Sequence, residues 1–109
     1  MAAFPLRVVF MSIPLDEAPE TMCDVPASIL ISVPKKRFHH AVDRNRMKRL
    51  VREAYRTNKG ILWEVLDGKD YKMAIAFICI TDKMPTFAQV NKAVTKALVR
   101  ITEKIEKEV

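Results

Sequence analysis

Residues 44–56 read Arg-Asn-Arg-Met-Lys-Arg-Leu-Val-Arg-Glu-Ala-Tyr-Arg, five arginines and one lysine against a single acid. A guanidinium group is a planar fork that donates two parallel hydrogen bonds to a phosphate and also stacks on bases. The chemistry open to such a run is the binding of a phosphate polyanion. Lys35, Lys36 and Arg37 stand just upstream. Residues 35–59 together carry ten Lys or Arg against Asp43 and Glu53, whereas the other 84 residues carry nine against eleven acids. The net charge of +6 is therefore a local patch on a near-neutral body, the distribution of a polyanion-binding surface.

Groups able to do covalent chemistry are few. His39 and His40 are adjacent in the basic stretch. Neighbouring side chains diverge, which places them poorly to flank one phosphate as acid and base. A metal-independent ribonuclease built on them is a weak third reading, and RNA contact or loop packing suits them better. Asp67 and Asp70 bracket Gly68 and read as turn formers. No Cys/His set has zinc spacing, and no glycine-rich loop is present to cradle a phosphate. The residues thus describe a binding surface with no catalytic set and no metal site.

The elements that must carry the surface follow from periodicity. A helix is expected from about Ala41 to Asn58. At about 100° per residue, Met47, Leu50, Val51, Ala54 and Tyr55 fall on one apolar stripe that must face a sheet. Arg44, Asn45, Lys48, Arg49, Arg52 and Arg56 then lie on the opposite side, with Arg46 at the flank. Solvated helices usually mix charge signs, and like charges four apart, as at 44/48, 48/52 and 52/56, each cost roughly 0.2–0.5 kcal/mol. A polyanion would relieve that repulsion. Asn45 is a poor helix former whose amide suits a base edge or a ribose hydroxyl. A membrane-surface helix would expose the apolar stripe that the sheet needs here.

Around that helix, Leu6–Met11 reads as a first strand, and residues 12–26, with three prolines and four acids, as a surface loop. Residues 27–33 read as a second strand, Ala27, Ile29, Ile31 and Val33 facing one way and Ser28, Leu30 and Ser32 the other. Residues 35–40 form a basic loop. Residues 61–66 add a helical turn or two between Gly60 and Gly68, both read as stops. The near-continuous apolar run of 71–81 reads as a central strand covered on both faces. Thr86 and Gln89 form a capping box for a last helix, with Val90, Val94, Ala97, Leu98, Ile101 and Ile105 as its buried stripe and a charged end that frays.

The expected fold class is α+β, a two-layer sandwich in which a small mixed sheet carries helices mainly on one face. The basic helix crosses between two parallel strands as a βαβ unit. At 109 residues the chain is the size of one domain. Cys79, in the apolar run, reads as a reduced core residue. Cys23 lies far from it in sequence, and the chain reads as cytoplasmic. No apolar run is long enough to span a membrane.

Residues 32–56, Ser-Val-Pro-Lys-Lys-Arg-Phe-His-His-Ala-Val-Asp-Arg-Asn-Arg and on to Arg56, closely resemble the signature of the bacterial ribonuclease P protein component. The matching positions are Lys35, Lys36, Ala41, Arg44, Asn45, Arg46, Lys48, Arg49, Arg52, Glu53 and Arg56, and the resemblance extends over roughly residues 6–105. It implies the small subunit of a ribonucleoprotein that removes the 5′ leader of precursor tRNA, with the active site and its Mg²⁺ in the RNA subunit and no cofactor on the protein. It implies RNA contacts from Lys35, Lys36, Arg37, Arg44, Asn45, Arg46, Lys48, Arg49, Arg52 and Arg56. It further implies a leader cleft on the sheet with Phe10 as its aromatic contact, and a left-handed crossover where the general rule favours a right-handed one. Two departures stand out. Pro34 replaces a small residue before the lysine pair, and the chain begins at the first strand, without the family's basic N-terminal segment and helix. The runner-up is a general RNA-binding module, such as a ribosomal protein or an RNA chaperone.

Overall fold

The computed structural model describes residues 2–18 and 25–107. The elements in chain order are β1 (Ala2–Ala3), β2 (Leu6–Pro14), a 3-10 turn (Leu15–Glu17), β3 (Ala27–Ser32), α1 (Ala41–Asn58), α2 (Gly60–Leu66), β4 (Tyr71–Cys79) and α3 (Phe87–Lys107). The strands form one sheet in the order β1-β2-β4-β3. β2 runs antiparallel to β4 and β3 parallel to it, so the sheet is mixed, and α1 and α2 make the crossover between parallel neighbours. The α+β class, the βαβ unit and the span of α1 are as the sequence predicts.

Strand alternation sorts the sheet into two faces. Leu6, Val8 and Phe10 of β2 stand beside Cys79, Phe77 and Ile75 of β4, which stand beside Ile31 and Ile29 of β3. This face meets the helices. Met47, Val51, Ala54 and Tyr55 of α1 are buried there, with Leu50 packed at the margin. From α3, Val90, Ala93, Val94, Ala97, Leu98, Ile101 and Ile105 are buried. Each stripe position predicted for α3 is inside, because the helical period leaves one side of a long helix to the core. The capping box is formed as predicted. The Gln89 backbone N–H donates to Thr86 Oγ1 at 3.2 Å and the Thr86 N–H to Gln89 Oε1 at 2.9 Å.

Four expectations are corrected. β2 continues through Pro14, pairing Ser12, Ile13 and Pro14 with Met73, Lys72 and Tyr71. Beyond Arg7 its outer side pairs with no described strand, so a proline costs no ladder bond there. Ala2–Ala3 form a short edge strand too brief to carry a periodic signal. Gly60 does not stop a helix but opens α2, and Lys59 joins the two helices: its N–H bonds the Tyr55 carbonyl while its own carbonyl accepts from Leu62 and Trp63. Gly68, at φ 79°, makes the turn into β4 in a conformation that favours glycine. Finally, β4 is central, but the described residues cover only one of its faces. Its second face carries Ala74 and Ala76 between Met11 and Val9 of β2 and Ser28 and Leu30 of β3. Val9, Met11 and Leu30 are 50%, 61% and 67% exposed. The apolar run is continuous because both faces are apolar, one packed and one open.

Residues 19–24, with Cys23 and most of the predicted acidic loop, lie outside the described residues. Cys79 is a buried free thiol, and burial raises its pKa above the usual range. No described helix is long and apolar enough to cross a membrane.

Candidate nucleic-acid interface

α1 presents its cations on the side opposite the sheet. Asn45, Arg46, Arg49, Arg52 and Arg56 are exposed, and Arg44 and Lys48 are half-buried at the edge. The orientation of this face is set from within. Tyr55 packs edge-on to Phe77 of β4 with ring centroids 6.4 Å apart. Its hydroxyl accepts a 2.9 Å hydrogen bond from Trp63 Nε1 of α2, while burial raises its pKa. Lys59 lies 4.3 Å from the centroid of the Trp63 ring, a cation–π contact. On the other side, Asn58 Nδ2 donates to Asn91 Oδ1 of α3 at 2.7 Å. The C-terminal end of α1 is thus tied to β4, α2 and α3, which fixes the rotation of the helix about its own axis.

Its N-terminal end is tied through the basic loop, and here the residues of the motif divide. Arg44 Nη1 donates to the carbonyls of Phe38 at 3.0 Å and His39 at 2.9 Å. Phe38 is buried, and its N–H and that of Arg37 both turn back to the Pro34 carbonyl. Arg37 reaches across the fold to Asp82, 45 residues on, with Nη1 to Oδ1 at 3.2 Å. The loop is therefore clamped at both ends by arginines, and Lys35, Lys36, His39 and His40 point outward, exposed. Arg56 is also engaged. Its Nε lies 3.2 Å from Glu53 Oε2, and that hydrogen bond holds the Glu53 carboxyl below its ordinary pKa and raises Arg56 above its own. The one acid in the run thus relieves repulsion that the sequence pattern left unopposed. Both ion pairs are solvent-accessible and screened by water, so a phosphate can replace either carboxylate.

Of the predicted contacts, Asn45, Arg46, Arg49 and Arg52 are exposed on the outer side of α1 with Lys48 at its edge, and Lys35 and Lys36 are exposed in the loop that leads into it. Arg37, Arg44 and Arg56 have intramolecular partners. The difference between motif arginines can be measured. Arg44→Ala is expected to lower stability by about 1 kcal/mol, the scale of a charged hydrogen bond that stays partly wet. Arg46→Ala, outside every hydrogen bond and ion pair among the described residues, should stay within about 0.5 kcal/mol of wild type. Equal urea midpoints for the two variants would remove the clamp from the account.

Phe10 lies apart from these groups. It stands on the helix side of β2, half-buried, with Lys104 of α3 5.4 Å from its ring centroid. The open sheet face carries Val9 and Met11 instead, residues that sequence reasoning did not single out. Their odd numbering in β2, against the even-numbered core residues Leu6 and Val8, is the signal that would have found them. Asp82, which holds Arg37, has no local signal at all. Among the described residues no group of three or more His, Cys, Asp or Glu gathers as metal ligands.

The sequence model of the Ribonuclease P family matches residues 6–102. The ribonuclease P protein component of Porphyromonas gingivalis ATCC 33277 is 46% identical over 98 residues, covering 90% of this chain and 67% of the relative. That of a second Porphyromonas gingivalis strain is 52% identical over 75 residues, 69% of this chain and 55% of the relative. The protein component from Chlorobaculum tepidum is 43% identical over 79 residues, 69% of this chain and 49% of the relative. The chain thus spans about half to two thirds of the length of these curated relatives. No solved structure matches.

Proposed function

This chain belongs to the Ribonuclease P family, and from that premise we propose that it is the protein subunit of a ribonuclease P. In this reading it binds the catalytic RNA and the 5′ leader of precursor tRNA and so supports tRNA 5′-end maturation. The observation that carries the proposal is the one-sided cationic face of α1, held in register with a clamped basic loop. Lys35, Lys36, Asn45, Arg46, Lys48, Arg49 and Arg52 engage the RNA subunit directly. Arg37 and Arg56 join by exchanging a carboxylate partner for a phosphate, and Arg44 contributes chiefly by holding the loop.

The chemistry of cleavage belongs to the RNA subunit and its Mg²⁺, and the protein acts by binding. A leader strand lying on the open sheet face would meet Val9, Met11, Ser28, Leu30, Ala74 and Ala76, a mainly apolar strip. Contact with Phe10 requires the strand to pass instead along the C-terminal part of α3, beside Lys104. The protein functions in the cytoplasm, where the RNA is made.

Added to its cognate RNA, the full chain is expected to stimulate 5′ processing of precursor tRNA at low Mg²⁺. Folded protein that gives no stimulation overturns the proposal. A general RNA-binding module would instead bind unrelated structured RNA as tightly as the cognate RNA, which a competition assay resolves. Cleavage by the protein alone, lost in His39→Ala or His40→Ala, would favour the ribonuclease reading.

A further inference from the structure

A second cationic site lies away from α1. Between the β1–β2 turn, the loop after β4 and the first half of α3 is a cleft of about 590 Å³. Phe4, Pro5, Met84 and Pro85 form its apolar walls. Phe4 is 72% exposed, more than Phe87 at 41%. Lys83, Lys92 and Lys96 line the same cleft, and all three are exposed. The lining contains no carboxylate. Lys92 and Lys96 are four apart on α3, so their like charges share one side of the helix.

The cleft is built in advance of any ligand. Thr81 is buried, and its Oγ1 accepts the Lys83 N–H at 3.2 Å, which fixes the loop. The capping box of Thr86 and Gln89 fixes the start of α3. The nearest acid in sequence, Asp82, is turned to Arg37 at 3.2 Å. That ion pair also joins the cleft loop to the basic loop of residues 35–40.

An apolar floor, an exposed aromatic ring and several ammonium groups match an unpaired nucleotide, its base against the ring and its phosphates against the lysines. An acidic peptide would satisfy the lysines but leave Phe4 without a role. We propose that this cleft binds an unpaired stretch of RNA, one or two nucleotides long, as a site separate from the α1 face and from the open sheet face. The assignment rests on the reading above in taking the partner to be RNA.

The test is a titration of the full ¹⁵N-labelled chain with a pentauridylate, followed by amide NMR. Signals of Thr81, Lys83, Gln89 and Ala93 should shift. Phe4→Ala should weaken the binding that these signals report by about fivefold or more, the lower end of base–aromatic stacking. Phe4 is exposed, so this variant keeps the fold. Lys92→Ala with Lys96→Ala should lower the slope of log affinity against log salt by about 1.4, two phosphates on a single strand. Shifts confined to α1 or to the open sheet face overturn the cleft, as does a pentaglutamate that moves the same signals with equal affinity. An Arg49→Ala, Arg52→Ala chain separates the two levels. If it binds the ribonuclease P RNA more weakly while the cleft signals stay still under pentauridylate, only the cleft falls. If it binds that RNA as wild type and no signal responds to pentauridylate, the RNA reading falls with it.

Discussion

Replacing Arg46, Arg49 and Arg52 together by alanine is expected to lower affinity for the ribonuclease P RNA by roughly 10²–10³ at 0.1 M salt. The figure follows from counterion release. Each phosphate neutralised by a cation adds about 0.9 to the slope of log affinity against log salt, so three lost contacts remove about 2.7 from the slope. The wild-type face, if it meets about 6–10 phosphates, should lose 10³–10⁵ in affinity between 50 and 200 mM salt. These three arginines are the appropriate set because they are exposed and lie outside every hydrogen bond and ion pair among the described residues. Their removal also relieves like-charge repulsion on α1, so the variant should be at least as stable as wild type. Filter binding across a salt series gives both the intercept and the slope. A triple variant with the wild-type slope would remove α1 from the RNA interface.

The second large effect concerns the core that aims this face. Phe77→Ala should cost about 3–5 kcal/mol, the range for deleting a fully buried aromatic side chain. Phe77 is 0% exposed at the centre of β4, against Val8 of β2, Ile31 of β3 and the Tyr55 ring. A domain of this size has about 5–15 kcal/mol in total, so the loss is roughly a fifth or more of what holds it. Urea denaturation should show a lower midpoint with an unchanged m-value. RNA affinity measured well below that midpoint should change far less than in the triple arginine variant, because Asn91 and Trp63 still tie the end of α1 to α3 and α2. A loss under about 1 kcal/mol would mean that the helices do not depend on this face of β4. The pair of predictions separates the charges from the scaffold that aims them.

The parts of the fold visible in the sequence are those governed by local rules. The phase of α1 follows from its helical period, and that period alone puts Met47, Val51, Ala54 and Tyr55 inside and Arg49 and Arg52 outside. The capping box needs only Thr86 and Gln89 at the right spacing, and its two hydrogen bonds are formed. The apolar run of 71–81 marked β4 as the centre of the sheet. It did not distinguish a strand covered twice from one with an open apolar face, because composition records what a side chain is and not what lies over it.

The candidate site was legible to the same depth. The basic run and the Lys35–Lys36 pair marked a cationic surface, and the Arg-Asn-Arg order carried the resemblance to the family that the sequence model matches. Which arginines are available to a polyanion was not legible. Arg37 meets Asp82 only because the sheet brings the start of the basic loop beside the turn after β4, 45 residues later. Arg44 turns to the carbonyls of Phe38 and His39 only because Phe38 is buried and folds the loop back toward α1. The cleft of Phe4, Lys83, Lys92 and Lys96 gathers three segments that share no local pattern. What the sequence determined alone was the division of each helix into an inner and an outer side, since 3.6 residues per turn is a property of the backbone. Which outer charges are already paired, and which apolar face stays open, was decided by the sheet, because both depend on distances between groups far apart along the chain.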